Sequence, residues 1–193
     1  MDTQDDYLIG GDELFHVPRF VDHFNYMLQD YTPPTGKPIV FFLSCSKYKP
    51  YYKSPYRRVL NAMIEKSIGI RNLSHYYTIS EPAVLIPEEL DDTNITKYDF
   101  PPEKMKEEGK QIFIERLSQV LPRIISAYKI GFYILPKHHR EIFEKALVLG
   151  YGNNLNTEIA SKVIYAPPVT YNLPKTKEII FQVLEKNNFK INL

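Results

Sequence analysis

The sequence predicts an α/β fold, a three-layer α/β/α sandwich around a four-stranded, mainly parallel sheet. Two observations predict it. Short β-branched and aromatic runs of strand length recur at 38–43, 74–79, 130–135 and 162–165, and stretches of helical apolar period separate them. Strands that alternate with helices build a parallel sheet covered on both faces, with right-handed crossovers.

Residues 12–30 read as a helical N-terminal extension with Phe15, Phe20, Phe24, Met27 and Leu28 on one stripe, ended by the breaker Tyr31-Thr32-Pro33-Pro34-Thr35-Gly36. The α/β core, 37–193, opens with the strand at 38–43. A helix over about 55–68 follows, with Ser54 as its cap and Pro55 at its first position. After the strand at 74–79, the proline-punctuated stretch Glu81 to Pro102 is too long for a simple connection, as functional loops often are. Residues 103–128 form a helix with Ile112, Ile114, Leu117, Val120, Leu121 and Ile124 inward, which Pro122 kinks or shortens. The strand at 130–135, a helix over 138–149, the strand at 162–165 and a helix over 175–187 complete the series. No internal repeat interrupts it.

With 193 residues, 44% of them hydrophobic, the chain suits a single domain with a sizeable core. One cysteine allows no internal disulfide, and no apolar run reaches the ~20 residues of a membrane span. The acidic start, Met1-Asp2-Thr3-Gln4-Asp5-Asp6, lacks the regions of a signal peptide, so a cytoplasmic protein is expected. A net charge of +1 argues against a dedicated high-affinity nucleic-acid binder. Locally the balance differs: Lys47, Lys49, Lys53, Arg57 and Arg58 carry no acid among them and are interleaved with Tyr48, Tyr51, Tyr52 and Tyr56. Such a segment contacts phosphates and stacks on unpaired bases, and it makes an equally good solvated loop.

The only cysteine, Cys45, stands in the loop after the first strand, at the strand ends where open α/β sheets bind ligands. Free cysteine is more often a small buried hydrophobe than a reagent. Here, however, Lys49, Tyr51, Ser54 and Arg57 add cationic, phenolic and hydroxyl groups within one short segment, enough to hold a phosphate or polarise an electrophile. Ser54 also has a purely structural use as the helix cap. The other histidines show no pattern: His16, His23 and His75 are scattered, and adjacent His138 and His139 point in different directions at a helix start. No zinc spacing, phosphate-binding glycine loop or nucleophile elbow is present.

Cys45, three residues, Lys49-Pro50-Tyr51, two residues, Ser54 resembles the signature of archaeosine synthase, the archaeal tRNA-modifying enzyme. Ser44 stands where that signature has proline, and Arg57 where it has histidine. Arginine takes up no proton near neutral pH, so no base is carried over to this position. Ile79-Ser80-Glu81-Pro82 through Leu90 resembles a second element of the family and Tyr98-Asp99-Phe100-Pro101 a third, all in order over roughly residues 37 to 150. The family's transglycosylase-like and PUA domains are not legible in these residues.

The resemblance implies a uracil-DNA-glycosylase-like fold and one reaction: addition of the amine of free lysine to the nitrile of 7-cyano-7-deazaguanine in tRNA, giving an amidine. Cys45, Lys49 and Asp99 are the implied catalytic residues, and Ser44, Tyr51, Ser54, Arg57 and Pro82 the implied substrate-binding ones. The nitrile is already electrophilic, so the chemistry demands no ATP, metal or redox cofactor, and none is expected. The expected partners are tRNA and a separate transglycosylase-like or PUA-domain protein. The alternative is a non-catalytic module that binds tRNA or a partner. A nucleobase glycosylase ranks third, because no acid closely follows Leu43 to activate water.

Overall fold

The computed structural model describes residues 7–152 and 159–189; the acidic N-terminal six residues lie outside them. The strands are β1 Leu8–Ile9, β2 Ile39–Ser44, β3 Ser74–Ser80, β4 Val84–Pro87, β5 Tyr98–Asp99, β6 Ile130–Ile134 and β7 Val163–Tyr165. The helices are α1 Pro18–Gln29, α2 Pro55–Ala62, α3 Glu107–Ser126, α4 Lys137–Tyr151, α5 Ile159–Lys162 and α6 Val169–Lys186.

Among the described residues the main sheet has five strands, in the order β4-β3-β2-β6-β7. The four expected strands are present and parallel, with Phe42 opposite both Tyr77 and Tyr133. The fifth, β4, folds back antiparallel on β3 and closes one edge. It falls inside the stretch read as irregular, because Pro82 and Pro87 frame its short run. A separate parallel pair joins β1 to β5.

Strand β2 has no exposed face from Ile39 to Leu43, as expected of a central parallel strand. Val40 and Phe42 pack with Tyr77, Ile79 and the inner faces of α3 and α4, including Phe113, Leu117 and Phe143. Ile39, Phe41 and Leu43 pack on the opposite side with Leu60, Ile64, Ile180 and Leu184 from α2, the segment after it and α6. Helices therefore cover both faces. Burying one such large side chain stabilises the fold by ~1.5–3 kcal/mol.

Helix boundaries move where backbone chemistry overrules the apolar period. The entry segment divides into a 3₁₀ turn, Asp12–His16, and α1, which starts at Pro18 as its missing N–H allows. Ser54 caps α2 by accepting the Arg57 N–H, and the helix continues as a π-type segment, Met63–Ile68, that ends at left-handed Gly69. Helix α3 runs through Pro122, and α6 starts before the expected 175, crossing a kink at Asn172 just ahead of Pro174.

His23, on α1, is buried and donates from Nε2 to the carbonyl of Leu85, 2.9 Å away. Burial lowers its pKa to about 4. The unfolded chain therefore takes up the proton first. Stability is lost as pH falls below about 6.5 and the loss levels off near pH 4, up to about 3 kcal/mol from this one residue. Gln in its place keeps an N–H donor and carries no titrating charge, so melting temperatures of His23→Gln measured from pH 7 to pH 4 should fall less steeply than those of the wild type. Equal slopes would mean that His23 is not neutral in the fold.

Candidate functional site

Three parallel strands end on the same rim, and each delivers a side chain there. Cys45 follows β2, its N–H donating to the carbonyl of Ile79. Glu81 follows β3, and His138 and His139 occupy the first turn of α4, directly after β6. The sulfur of Cys45 lies 3.7 Å from Glu81 Oε2 and 3.7 Å from His139 Nε2. Glu81 Oε2 is 3.2 Å from His139 Nε2, and its other oxygen is 3.3 Å from His138 Nε2. Two histidines that diverge on the helix thus meet the two oxygens of one carboxylate.

Glu81 is 8% exposed and His139 9% exposed, so neither charge is shared with bulk water. Burial alone would raise the pKa of Glu81, but the charge of His139 and the hydrogen bonds from both histidines hold its carboxyl well below the usual range. Burial alone would lower the pKa of His139, and Glu81 and Cys45 outweigh it, raising it well above the ordinary histidine value. The pair is therefore a buried carboxylate and imidazolium beside a thiol. Val84, at the turn that follows, takes a φ of 69°, a conformation that costs a β-branched residue and is kept only where its surroundings impose it.

A second layer comes from the cysteine loop and β5. Lys49 donates to the carbonyl of Tyr98, and its ammonium lies 3.7 Å from the centre of the Tyr98 ring. Burial lowers its pKa to about 8, against the opposing charges of Cys45, Asp99 and Glu81. Tyr51 hydroxyl lies 3.0 Å from both Ser80 Oγ and Tyr98 hydroxyl, and Ser80 and Tyr98 are bonded to each other. Burial pushes the pKa of Tyr51 and of Tyr98 up, so this trio offers neutral hydroxyl donors.

Of the residues singled out in the sequence, Cys45, Lys49 and Tyr51 come together here. Ser44 is the half-buried last residue of β2, and Pro82 directly follows Glu81. Asp99 lies on the exposed side of β5 and reaches Lys49 only through its charge. Ser54 serves as the α2 cap, and the Arg57 guanidinium is buried on the other side of that helix start, bonded to Thr78. The basic, aromatic segment divides: Tyr51 and Arg57 turn inward, while Lys47, Tyr48, Tyr52, Lys53 and Arg58 remain exposed.

Glu81, His138 and His139 were missed by sequence reasoning, which treated the histidines as neighbours on a helix rather than as residues at a strand exit. The available signal was position, since each follows a parallel strand within five residues, as Cys45 does. Cys45, Glu81 and His139 each present a ligand atom, all within 4.8 Å of one another, a donor set that suits a divalent ion such as zinc.

No curated protein matches the chain. A solved structure, that of AF0587, a protein of unknown function, is similar with a TM-score of 0.54 and 16% identity over 86% of this chain and 51% of that one. The likeness is one of fold, and the chain spans about half the length of AF0587. A family model described as a domain of unknown function, DUF5591, matches residues 17–164, a span that includes every residue of the rim site. The chain belongs to the DUF5591 family.

Proposed function

We propose that this chain transfers lysine to the nitrile of 7-cyano-7-deazaguanine in tRNA, as its resemblance to archaeosine synthase implies, on a core of the uracil-DNA-glycosylase-like type. The observation that carries the reading is the contact of Cys45 sulfur with both Glu81 and His139 at 3.7 Å. It supplies the acid–base partner that Arg57, standing in place of the family's histidine, does not.

In the covalent route the thiol adds across the nitrile. The S–C bond forms, one C–N π bond breaks, the nitrile nitrogen takes a proton from His139, and the thiol proton replaces it on His139 while Glu81 stays ionised beside the imidazolium. The amine of lysine then attacks the thioimidate carbon, the C–S bond breaks, the sulfur leaves as thiolate, and the proton shed by the amine passes through His139 to the sulfur. The sum is addition without a leaving group, so no co-reactant is required. Lys49 and the Tyr51 hydroxyl polarise the nitrogen as charge develops. The base has to leave its stack to reach the rim, and exposed Tyr48, Tyr52, Lys47, Lys53 and Arg58 provide stacking and phosphate contacts there. With a net charge of +1, affinity for tRNA alone is expected to be weak and salt-sensitive, which favours a separate RNA-binding partner.

The spacing of the Cys45, Glu81 and His139 ligand atoms favours a second reading of the same residues, in which they would hold a zinc ion and its Lewis acidity would be available to the nitrile. Transfer of labelled lysine to tRNA bearing 7-cyano-7-deazaguanine, with and without a transglycosylase-like protein, tests both. Cys45→Ala should abolish incorporation and His139→Gln should reduce it by roughly 10²-fold or more. Full activity in Cys45→Ala would exclude the covalent route. Activity lost to a chelator and restored by zinc would establish the metal reading. No incorporation under any condition, with tRNA binding retained, would make the chain a binding module.

Lys49 offers a check without substrate. In protein reductively methylated with ¹³C-formaldehyde, its resonance should titrate near pH 8, well below the ~10.4 of exposed lysines. Glu81→Gln removes a negative charge that favours the ammonium and should lower the midpoint further. A midpoint near 10 would place Lys49 in solvent, away from the site.

A further inference from the structure

A second cavity, of about 220 Å³, lies between α2, β3 and the segment after β4. None of Cys45, Glu81 or His139 lines it. Its walls include Arg57, Asn61, Arg71, Tyr76, Glu88 and Asp91.

Three of these groups are incompletely matched. Arg57 is 4% exposed, and among the described residues its guanidinium makes one side-chain hydrogen bond, to Thr78, lies 5.9 Å from the centre of the Tyr76 ring and forms no ion pair. A buried cation without a carboxylate partner is costly, and the two carboxylates whose charge it feels form no ion pair with it: Glu88 pairs with Arg71 at 2.5 Å, and each Asp91 oxygen accepts one N–H, from Tyr51 or Tyr52, with a lone pair left over. Tyr76 is 2% exposed, and among the described residues its hydroxyl has no hydrogen-bond partner; Asn61 Oδ1 is buried and has none there either. Native folds leave few such groups unmatched unless something else binds them.

We propose that this cavity binds a small zwitterion of the free α-amino acid class, its carboxylate on Arg57 and Tyr76 hydroxyl and its ammonium on Asn61 Oδ1 and Asp91. An unpaired donor cation calls for an anionic acceptor, and an unpaired amide oxygen calls for a donor. One ligand carrying both answers both. The wall charges, Arg57 and Arg71 against Glu88 and Asp91, sum to zero, which suits a ligand of no net charge. The volume admits an amino acid with its side chain.

The test is calorimetric titration and thermal shift of the whole chain, without tRNA, against L-lysine, L-leucine and L-glutamate. Cadaverine, hexanoate and inorganic phosphate supply each half of the charge alone. At least one amino acid should bind, and no half-ligand should bind as well. Tyr76→Phe should weaken binding by up to about tenfold and Arg57→Met by roughly 10²-fold. Tyr76→Phe should melt no lower than the wild type without ligand, because it removes an unmatched hydroxyl. No binding by any amino acid would overturn the proposal, as would equal binding of phosphate or hexanoate, or binding unchanged in both variants. Cys45 takes no part in this measurement, so its outcome and that of the lysine-transfer assay are independent.

Discussion

Strand β2 is buried on both faces and hydrogen-bonded along both edges, and its parallel pairing with β3 and β6 decides where everything else can stand. Because side chains alternate, a slip of one residue would exchange Val40 and Phe42 with Ile39, Phe41 and Leu43, and set each against the wrong helix layer. The same register ends the three strands together. Cys45, Glu81 and the start of α4 are neighbours only because Leu43 lies beside Thr78 and Ile134.

What the rim contains is harder to explain by stability. A buried carboxylate–imidazolium pair must offset the desolvation of two charges, and packed apolar residues of similar volume often do as well or better. Glu81 and His139 nonetheless sit beside a thiol, with His138 completing the bonds to the carboxylate. A hydrophobic rim would close the strand ends more cheaply and would leave Cys45 inert. The arrangement is better understood as one that keeps an acid, an acceptor and a sulfur within 4 Å of one another in a poorly solvated place.

The fold class was legible because central parallel strands are continuous apolar runs, and Ile39 to Leu43 and Ile130 to Ile134 are runs of strand length rich in β-branched and aromatic residues. Strand β4 was not, since its residues lie between prolines that usually mark loops, and its partner is the preceding strand by a tight return rather than by a helix. The early start of α6 was hidden by Pro174, which follows the kink at Asn172. At the site, Cys45 was legible from its place after a strand. Glu81 lies inside the second resembling element with no local mark of its own, and His139 is one of two adjacent helix residues that point apart; contacts between residues 45, 81 and 139 are decided by strand order, which local spacing does not encode.

The cysteine loop also shows why its residues are spaced as they are. From the end of β2 to the cap of α2, Cys45 reaches the rim, Lys49 crosses to Tyr98, and Tyr51 turns its hydroxyl to Ser80 and Tyr98. The main chain of Tyr51 and Tyr52 meanwhile donates to Asp91, a wall of the second cavity, and Ser54 starts the helix that buries Arg57. Tyr51 is therefore held at both ends, by hydroxyl contacts towards the rim and by an N–H bond towards the cavity. Inserting or deleting one residue between Lys49 and Ser54 would break one set of bonds to keep the other. A segment fixed in this way joins the rim and the cavity wall through continuous covalent chain.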